Sequence, residues 1–371
     1  MYLDSIHIKN FRNYGNTFIN FSKNINIIYG ENAQGKTNII EAVFLCASGR
    51  SHRTNKDYEL IKHNSDGYKL EIEVVKKYDK INIEMEYGVG RKKSIKINEI
   101  PIKKIGNLMG NLIAVIFSPE DILLIKEGPS QRRRFIDITV SQIKPAYFYD
   151  LQEYAKILMQ RNALLKEIQK DRGLIDTLDV WDRKISQVAS KIMKTRDEFI
   201  TVLSEKTSIM HKKLTNGKEE LNIKYSPSNK IKTKNTTKEI EEELERELKK
   251  NRNMELKRCI TLIGPHRDEY EIILNGMNLK IYGSQGQQRT SVLSIKLSEI
   301  EIIKEEIGEY PVLLLDDVLS ELDENRKKYL YMNLGEMQTF ITCTKKDFFE
   351  RENNGDNKYI KVINGSVEIT E

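Results

Sequence analysis

The sequence lacks the features that mark secreted, metal-dependent or membrane-spanning proteins. Its three cysteines, Cys46, Cys259 and Cys343, are odd in number and far apart, and its five histidines show no metal-ligand spacing. No apolar run approaches the roughly 20 residues that a membrane span requires. These absences argue against a disulfide scaffold, a zinc site or a transmembrane helix, and they predict a protein of the reducing cytoplasm.

Charge is present in both signs and nearly balanced. Lysine and arginine number 61 against 55 acidic residues, which gives a formal net charge of +6. An excess of this size permits contact with nucleic acid but does not demonstrate it. With 371 residues and 39% hydrophobic content, the chain can bury a large core, and we expect two domains.

The most informative stretch is Gly30 to Thr37, which fits the P-loop pattern G-x-x-x-x-G-K-[ST]. Its backbone N–H groups are expected to surround a phosphate chain; the residues concerned are Gly30, Glu31, Asn32, Ala33, Gln34, Gly35, Lys36 and Thr37. Lys36 is expected to reach the β- and γ-phosphates of ATP and Thr37 to bind Mg²⁺. An apolar strand before the loop and a helical apolar pattern after it agree with this interpretation.

A second candidate element is the apolar run Pro311 to Leu315, which ends in Asp316 and Asp317. Ligands of parallel sheets bind at the carboxyl ends of the strands, so a strand of this kind beside the P-loop strand can place a carboxylate near the phosphates. We assign Asp316 to Mg²⁺ and Asp317 to the attacking water as general base. The alternative is two acids at an ordinary strand end. Ser320 to Asp323, directly after, is typical of a helix cap.

The third element is the polar turn Ser284 to Arg289, before a helical pattern over Thr290 to Ile303. A serine and backbone N–H groups at a helix N-terminus can bind an anion, which makes Ser284, Gly286 and Gln287 candidate nucleotide contacts. The alternative is an ordinary N-capped helix.

Taken together, these segments resemble the ATP-binding-cassette head of SMC-like repair ATPases, and within that group the RecF family. The resemblance extends from near the N-terminus to about residue 345. It is carried by the segments 10–14, 117–121, 128–135, 264–268, 284–289 and 313–323. The signature turn departs from the usual pattern at Gln285, where glycine is common, and Asp317 stands where most such ATPases have glutamate. The shorter carboxylate suggests slow hydrolysis.

The resemblance implies an α/β fold: an ABC-ATPase-like P-loop head with a mixed sheet and an antiparallel β meander, into which a mainly helical lobe is inserted. We expect the head to comprise residues 1–120 and 256–371, and the insertion residues 121–255. It further implies an ATP-dependent homodimer in which the signature turn of one subunit closes on the ATP of the other. Single-stranded or gapped DNA, RecO and RecR are the implied partners, in recombinational repair and replication restart.

Two basic runs are candidate DNA contacts. One is Arg132 to Arg134 at a predicted helix start, and the other is Arg50, His52 and Arg53. Internal salt bridges or a solvated face would explain either run equally well. Two other functions also remain open, a P-loop kinase for a small molecule and the ATPase subunit of a transporter. The large insertion could supply the lid of a kinase, but the signature turn has no role in a monomeric kinase. The long insertion between the P-loop and the acidic strand, and the lack of a membrane segment in this sequence, count against a transporter subunit.

Overall fold

In the computed structural model, which describes residues 1–321, 326–327, 330, 335–345 and 357–370, the chain divides into two units. The first comprises Met1–Asp121 and Glu299–Glu371, and the second Ile122–Ser298. In the described residues the strands are β1 Tyr2–Phe11, β2 Tyr14–Asn20, β3 Ile25–Tyr29, β4 Gly67–Val75, β5 Lys80–Gly88, β6 Ser94–Ile97, β7 Ile100–Pro101, β8 Ala114–Phe117, β9 Leu221–Ser226, β10 Glu269–Leu274, β11 Met277–Asn278, β12 Val312–Leu315, β13 Thr339–Cys343, β14 Lys358–Ile363 and β15 Ser366–Thr370. The helices there are α1 Lys36–Ser48, α2 Leu123–Lys126, α3 Pro129–Ile143, α4 Pro145–Ile168, α5 Leu178–Leu214, α6 Thr237–Arg258, α7 Leu279–Tyr282 and α8 Gln285–Ile307.

The first unit contains an antiparallel sheet with the order β2-β1-β4-β5-β6-β7. Its central strand β4 alternates buried and half-buried residues along its length, because one face packs into the core and the other meets solvent. The expected meander of β4, β5 and β6 is confirmed by the register of these strands.

The second sheet of this unit has the order β15-β14-β3-β13-β12-β8. The strands from β14 to β8 are parallel, and β15 pairs with β14 in the antiparallel sense. Every residue of β12 is buried, as expected for an apolar run in a parallel sheet covered on both faces. This sheet positions the P-loop and the acidic strand end.

The second unit consists of helices and a three-stranded sheet with the order β11-β10-β9. Strand β9 pairs with β10 in antiparallel register along the whole of both strands. This pairing holds the chain after α6 within the second unit, which therefore continues to Ser298, whereas the sequence had placed the end of the insertion at residue 255. Helix α6 begins with a capping box between Thr236 and Glu239.

Candidate nucleotide-binding site

The loop between β3 and α1 has the backbone that the P-loop pattern predicts. Gly30 has φ 152° and Gly35 has φ 117°, in the region that residues with a side chain rarely adopt. A Cβ atom on Gly30 would lie 2.4 Å from the carbonyl oxygen of Val362, and one on Gly35 would lie 2.6 Å from the amide of Asn13. A residue with a side chain would therefore be strained at either position, both by the backbone conformation and by clashes with neighbouring atoms.

Lys36 is the first residue of α1, and its side chain folds back across the loop. Its Nζ donates hydrogen bonds to the carbonyl oxygens of Gly30 at 2.7 Å and Glu31 at 2.8 Å. The residue is buried, so its ammonium is fixed at the N-terminus of α1, where the helix dipole also favours anions. Between the two glycines, Glu31, Asn32 and Ala33 are exposed at the loop surface, and Gln34 is half-buried.

A side chain that the sequence reasoning missed as a functional residue holds the loop from one side. The amide nitrogen of Asn13 donates to the carbonyl oxygen of Gln34 at 2.7 Å, and its amide oxygen accepts from Asn38 at 2.9 Å. The hydroxyl of Tyr14 donates to the carbonyl oxygen of Gly35 at 3.1 Å. The segment 10–14 had been recognised as a family motif, and the structure supplies its physical role: it supports the loop and the first turn of α1.

The turn between β14 and β15 holds the loop from another side. The backbone N–H of Asn364 donates to the side-chain oxygen of Gln34 at 2.6 Å, and that of Gly365 donates to its carbonyl oxygen at 3.1 Å. No local sequence signal links residue 34 to residue 365, because the link depends on β14 lying next to β3 in the sheet.

Asp316 follows β12 and reaches the P-loop helix. The hydroxyl of Thr37 donates to its Oδ1 at 2.9 Å, and the hydroxyl of Thr342 donates to the same oxygen at 2.8 Å. The sequence analysis considered the acidic strand beside the P-loop strand; in the sheet, β13 lies between β3 and β12. The intervening strand contributes Thr342, a further residue that sequence reasoning missed.

Burial raises the pKa of Asp316, although the hydrogen bonds from Thr342 and Thr37 act in the opposite direction. A buried carboxylate of this kind is stabilised by a nearby cation. Asp316 and Thr37 together offer two oxygen ligands, which suits Mg²⁺ because this ion is commonly held by one or two protein oxygens, the phosphates and water. The residues present therefore fit Mg²⁺.

Asp317 adopts a left-handed backbone conformation, with φ 57°. Its N–H donates to the hydroxyl oxygen of Thr342 at 2.8 Å, so the same hydroxyl orients both acidic residues. The positive φ turns the chain immediately after Asp316. Of the Ser320 to Asp323 segment, Leu322 and Asp323 lie outside the described residues.

A buried ion pair supports α1 one turn beyond Thr37. Glu41 is fully buried and accepts two hydrogen bonds from Arg12, at 2.7 and 2.8 Å, and one from Ser51 at 2.5 Å. Arg53 approaches the same carboxylate at 3.5 Å. Burial alone would raise the pKa of Glu41, but the hydrogen bonds and charges of these neighbours outweigh it and hold this pKa below its usual value.

The polar turn at Ser284 lies in the second unit and caps α8. Its hydroxyl accepts from the N–H of Gln287 at 3.2 Å, and its own N–H donates to the side-chain oxygen of Gln287 at 2.9 Å. This reciprocal pair is the capping box that the alternative interpretation predicts. Ser284, Gln285 and Gly286 are nevertheless exposed, so the N-terminus of this long helix is open to an external anion.

Two residues of the basic run at the start of α3 are engaged inside the second unit. Arg132 is buried and binds both carboxylate oxygens of Glu269 at 2.8 Å. Arg133 donates to the carbonyl oxygen of Asp268 at 2.6 Å. The internal salt-bridge interpretation thus accounts for Arg132, and Arg133 is held by a hydrogen bond to the backbone.

The P-loop, the acidic strand end and the parallel sheet define a P-loop ATPase head of the ABC type. Solved SMC heads share this fold. The Smc head of Pyrococcus furiosus is 16% identical to this chain with a TM-score of 0.55, and the comparison covers 100% of this chain and 96% of the other. The family described as RecF/RecN/SMC N terminal domain matches residues 2–367.

Within that class, the chain belongs to the RecF family. It is 62% identical over 98% of its length to the DNA replication and repair protein RecF of Acetivibrio thermocellus, 99% of which is covered. It is 49% identical over 99% of its length to the RecF of Ruminiclostridium cellulolyticum, again covering 99% of the relative. A solved structure described as the recombination mediator protein RecF with ATP, in the RecFOR pathway, matches with a TM-score of 0.94 at 41% identity, covering 100% of this chain and 98% of the other.

Among the described residues, no helix is long and apolar enough to cross a membrane.

Proposed function

We propose that this chain is an ATP-dependent DNA-binding protein of recombinational DNA repair and replication restart, in which ATP joins two copies and slow hydrolysis separates them. The observation that carries the proposal is the assembled loop at the carboxyl ends of the parallel strands: Lys36 donates to the carbonyl oxygen of Gly30, and the next residue, Thr37, donates to the buried carboxylate of Asp316. The solved RecF relative with ATP supports ATP as the nucleotide.

In this proposal, different residues of the chain bind the phosphates, hold Mg²⁺ and activate the attacking water. The loop N–H groups and Lys36 bind the phosphates, and Thr37 and Asp316 hold Mg²⁺, which neutralises phosphate charge when bound. Asp317 orients and deprotonates the attacking water as general base. Its shorter reach compared with glutamate favours slow, DNA-stimulated turnover rather than rapid hydrolysis.

The second half of the site is proposed to come from another copy. Ser284, Gly286 and Gln287 present an open helix N-terminus, which suits the γ-phosphate of an ATP held by the other subunit. ATP then stabilises the dimer through its higher affinity for the closed state. The RecFOR pathway of the solved relatives supports RecO and RecR as partners in loading recombinase at DNA gaps.

Sedimentation with and without Mg²⁺-ATP tests the proposal. We expect the wild type to dimerise only with nucleotide, and Lys36→Ala and Lys36→Arg to lose or weaken that response with the fold intact. A chain that stays monomeric under both conditions at micromolar concentration contradicts the proposal. Phosphate release that requires a small acceptor would instead indicate a kinase, and co-purification with membranes would indicate a transporter subunit.

A further inference from the structure

We infer that DNA phosphates bind a surface of the first unit formed by three separate basic segments, residues 50–56, 91–93 and 103–104, here called the three-segment basic surface. The inference rests on the proposed function, because it names where the DNA of that function binds. It differs from what the sequence alone indicates, since the sequence offered the run at Arg132 as an equal candidate.

The fold brings the three segments together at the C-terminus of α1. The Nζ of Lys93 donates to the carbonyl oxygen of Gly49 at 3.1 Å and pairs with Asp57 at 2.5 Å. A Cβ atom on Gly49 would lie 2.8 Å from the side chain of Ile105. The turn after α1, the β5–β6 turn and the segment before Ile105 therefore meet at one place.

The cations that flank this meeting point are exposed. Arg50 follows Gly49, Arg91 and Lys92 precede Lys93, and Lys103 precedes Ile105, and all four are exposed. Lys93 itself is committed to the fold through Gly49 and Asp57, so it anchors the surface. Positive charge spread over three backbone segments matches a polyanion with regularly spaced charges better than a single small anion, which a compact pocket would hold.

In the other candidate basic run, at the start of α3, Arg132 and Arg133 make contacts inside the second unit. Arg132 is buried against Glu269 and Arg133 binds a backbone carbonyl, so moving them to a phosphate would break contacts inside the second unit. An exposed aromatic ring, Tyr58, adjoins the three-segment basic surface: it is 54% exposed, and the ammonium of Lys56 lies 5.7 Å from its centre. A ring in this position can stack on an unpaired base, which suits a gap in a duplex.

The surface adjoins the P-loop helix. The guanidinium of Arg53 lies 3.3 Å from the side-chain oxygen of Asn38 and 3.5 Å from the carboxylate of Glu41, both on α1. A phosphate that attracted Arg53 would compete with these contacts. DNA at this surface would therefore act on the same helix that begins with Lys36.

The test compares two variants that remove equal charge. In the first, Arg50, Arg91, Lys92 and Lys103 are replaced by glutamine. In the control, four exposed lysines of the second unit, Lys156, Lys166, Lys170 and Lys212, are replaced by glutamine. Binding of labelled gapped and plain duplex is measured by fluorescence anisotropy across salt, with saturating Mg²⁺-ATP.

We expect the first variant to lose at least about tenfold in affinity near 0.1 M salt. Its salt slope should fall by about 0.9 for each duplex phosphate that it no longer binds. The control is expected to keep the wild-type slope. Equal slopes for the first variant and the wild type would overturn the surface assignment, as would a loss of affinity confined to the control.

The proposed function and the surface assignment can fail separately. If wild type binds no DNA in any nucleotide state, the proposed function fails. If wild type binds and the first variant binds equally well, only the surface is misplaced. Thermal unfolding checks that the fourfold variant folds. If that variant does not fold, the surface assignment is tested with the single variants Arg91→Gln and Lys92→Gln, which lie in an exposed turn. Each is expected to lower the salt slope by about 0.9, the value for one phosphate.

Discussion

We expect the substitution Gly286→Asp to weaken ATP-driven dimerisation without lowering the stability of the monomer. Gly286 is exposed in the first turn of α8, and in the described part of the chain, outside its own helix backbone, an added Cβ atom would approach the Ser284 hydroxyl oxygen no closer than 4.0 Å. An acidic side chain in the first turn of a helix interacts favourably with the helix dipole, by about 0.3–1 kcal/mol. The Gly286→Asp monomer should therefore be as stable as the wild type or slightly more so.

The same carboxylate would face the γ-phosphate if the turn closes on ATP held by another copy. Two like charges about 4 Å apart at an effective dielectric constant of about 20 repel by about 4 kcal/mol, and solvent and salt reduce this value. Even a residual penalty of about 1.4 kcal/mol per site would lower the affinity about tenfold, and a symmetric dimer has two such sites, so the two losses multiply. We expect the dimer dissociation constant to rise by at least about a hundredfold.

Sedimentation with Mg²⁺-ATP measures the dimer, and urea unfolding measures the monomer. Gln160→Glu, which adds one negative charge at an exposed position of α4, serves as the matched control and should leave both unchanged. A Gly286→Asp variant that dimerises with wild-type affinity would refute closure of this turn on the nucleotide. A variant that unfolds more easily would show that the cap geometry has been misjudged.

Three other substitutions test the site. Asp317→Asn should retain ATP binding and accumulate as dimer with little phosphate release; turnover at the normal rate would show that another group activates the water. Thr342→Val removes the hydroxyl that contacts both Asp316 and Asp317, and should weaken Mg²⁺-dependent ATP binding about tenfold by titration calorimetry, since a hydrogen bond to a charged group contributes roughly 1.5–3 kcal/mol; unchanged affinity would remove Thr342 from the site. Glu41→Gln should lower the free energy of unfolding by roughly 2–3 kcal/mol, because it leaves Arg12 without its buried partner. The pKa of Glu41 is lowered in the folded state, so the carboxylate stabilises the fold above the ordinary value of 4.5, and the difference between wild type and variant should shrink as pH falls below it; a difference independent of pH would contradict this account.

Sequence reasoning could find the residues that belong to a recognisable pattern within a short stretch of the chain. Gly30 to Thr37 form a contiguous pattern, and Asp316 ends an apolar run, so both stand out in the linear chain. The fold class followed from the family resemblance that these and other short segments carry. These signals are local, so they can be recognised without knowing the order of the strands in the sheet.

The residues that were missed act through the order of strands in the sheet. Thr342 contacts Asp316 only because β13 lies between β3 and β12, and Gln34 meets Gly365 only because β14 lies next to β3. The second unit extends beyond α6 for the same reason, since the pairing of β9 with β10 joins segments on either side of α6. Such pairings are set by tertiary packing, which no short window of sequence reports.

The strand order also constrains how the molecule is made. A ribosome releases β3 and α1 early, yet the neighbours of β3 in the sheet, β13 and β14, come from the far end of the chain. Until those residues emerge, Ile27 and Ile28 have no strand on either side, and the nascent P-loop lacks Thr342 and Gly365. Pairings between such distant segments form slowly, so the ATPase head should be completed only after β13 and β14 have been synthesised, and a chaperone that shields exposed strand edges should raise the yield.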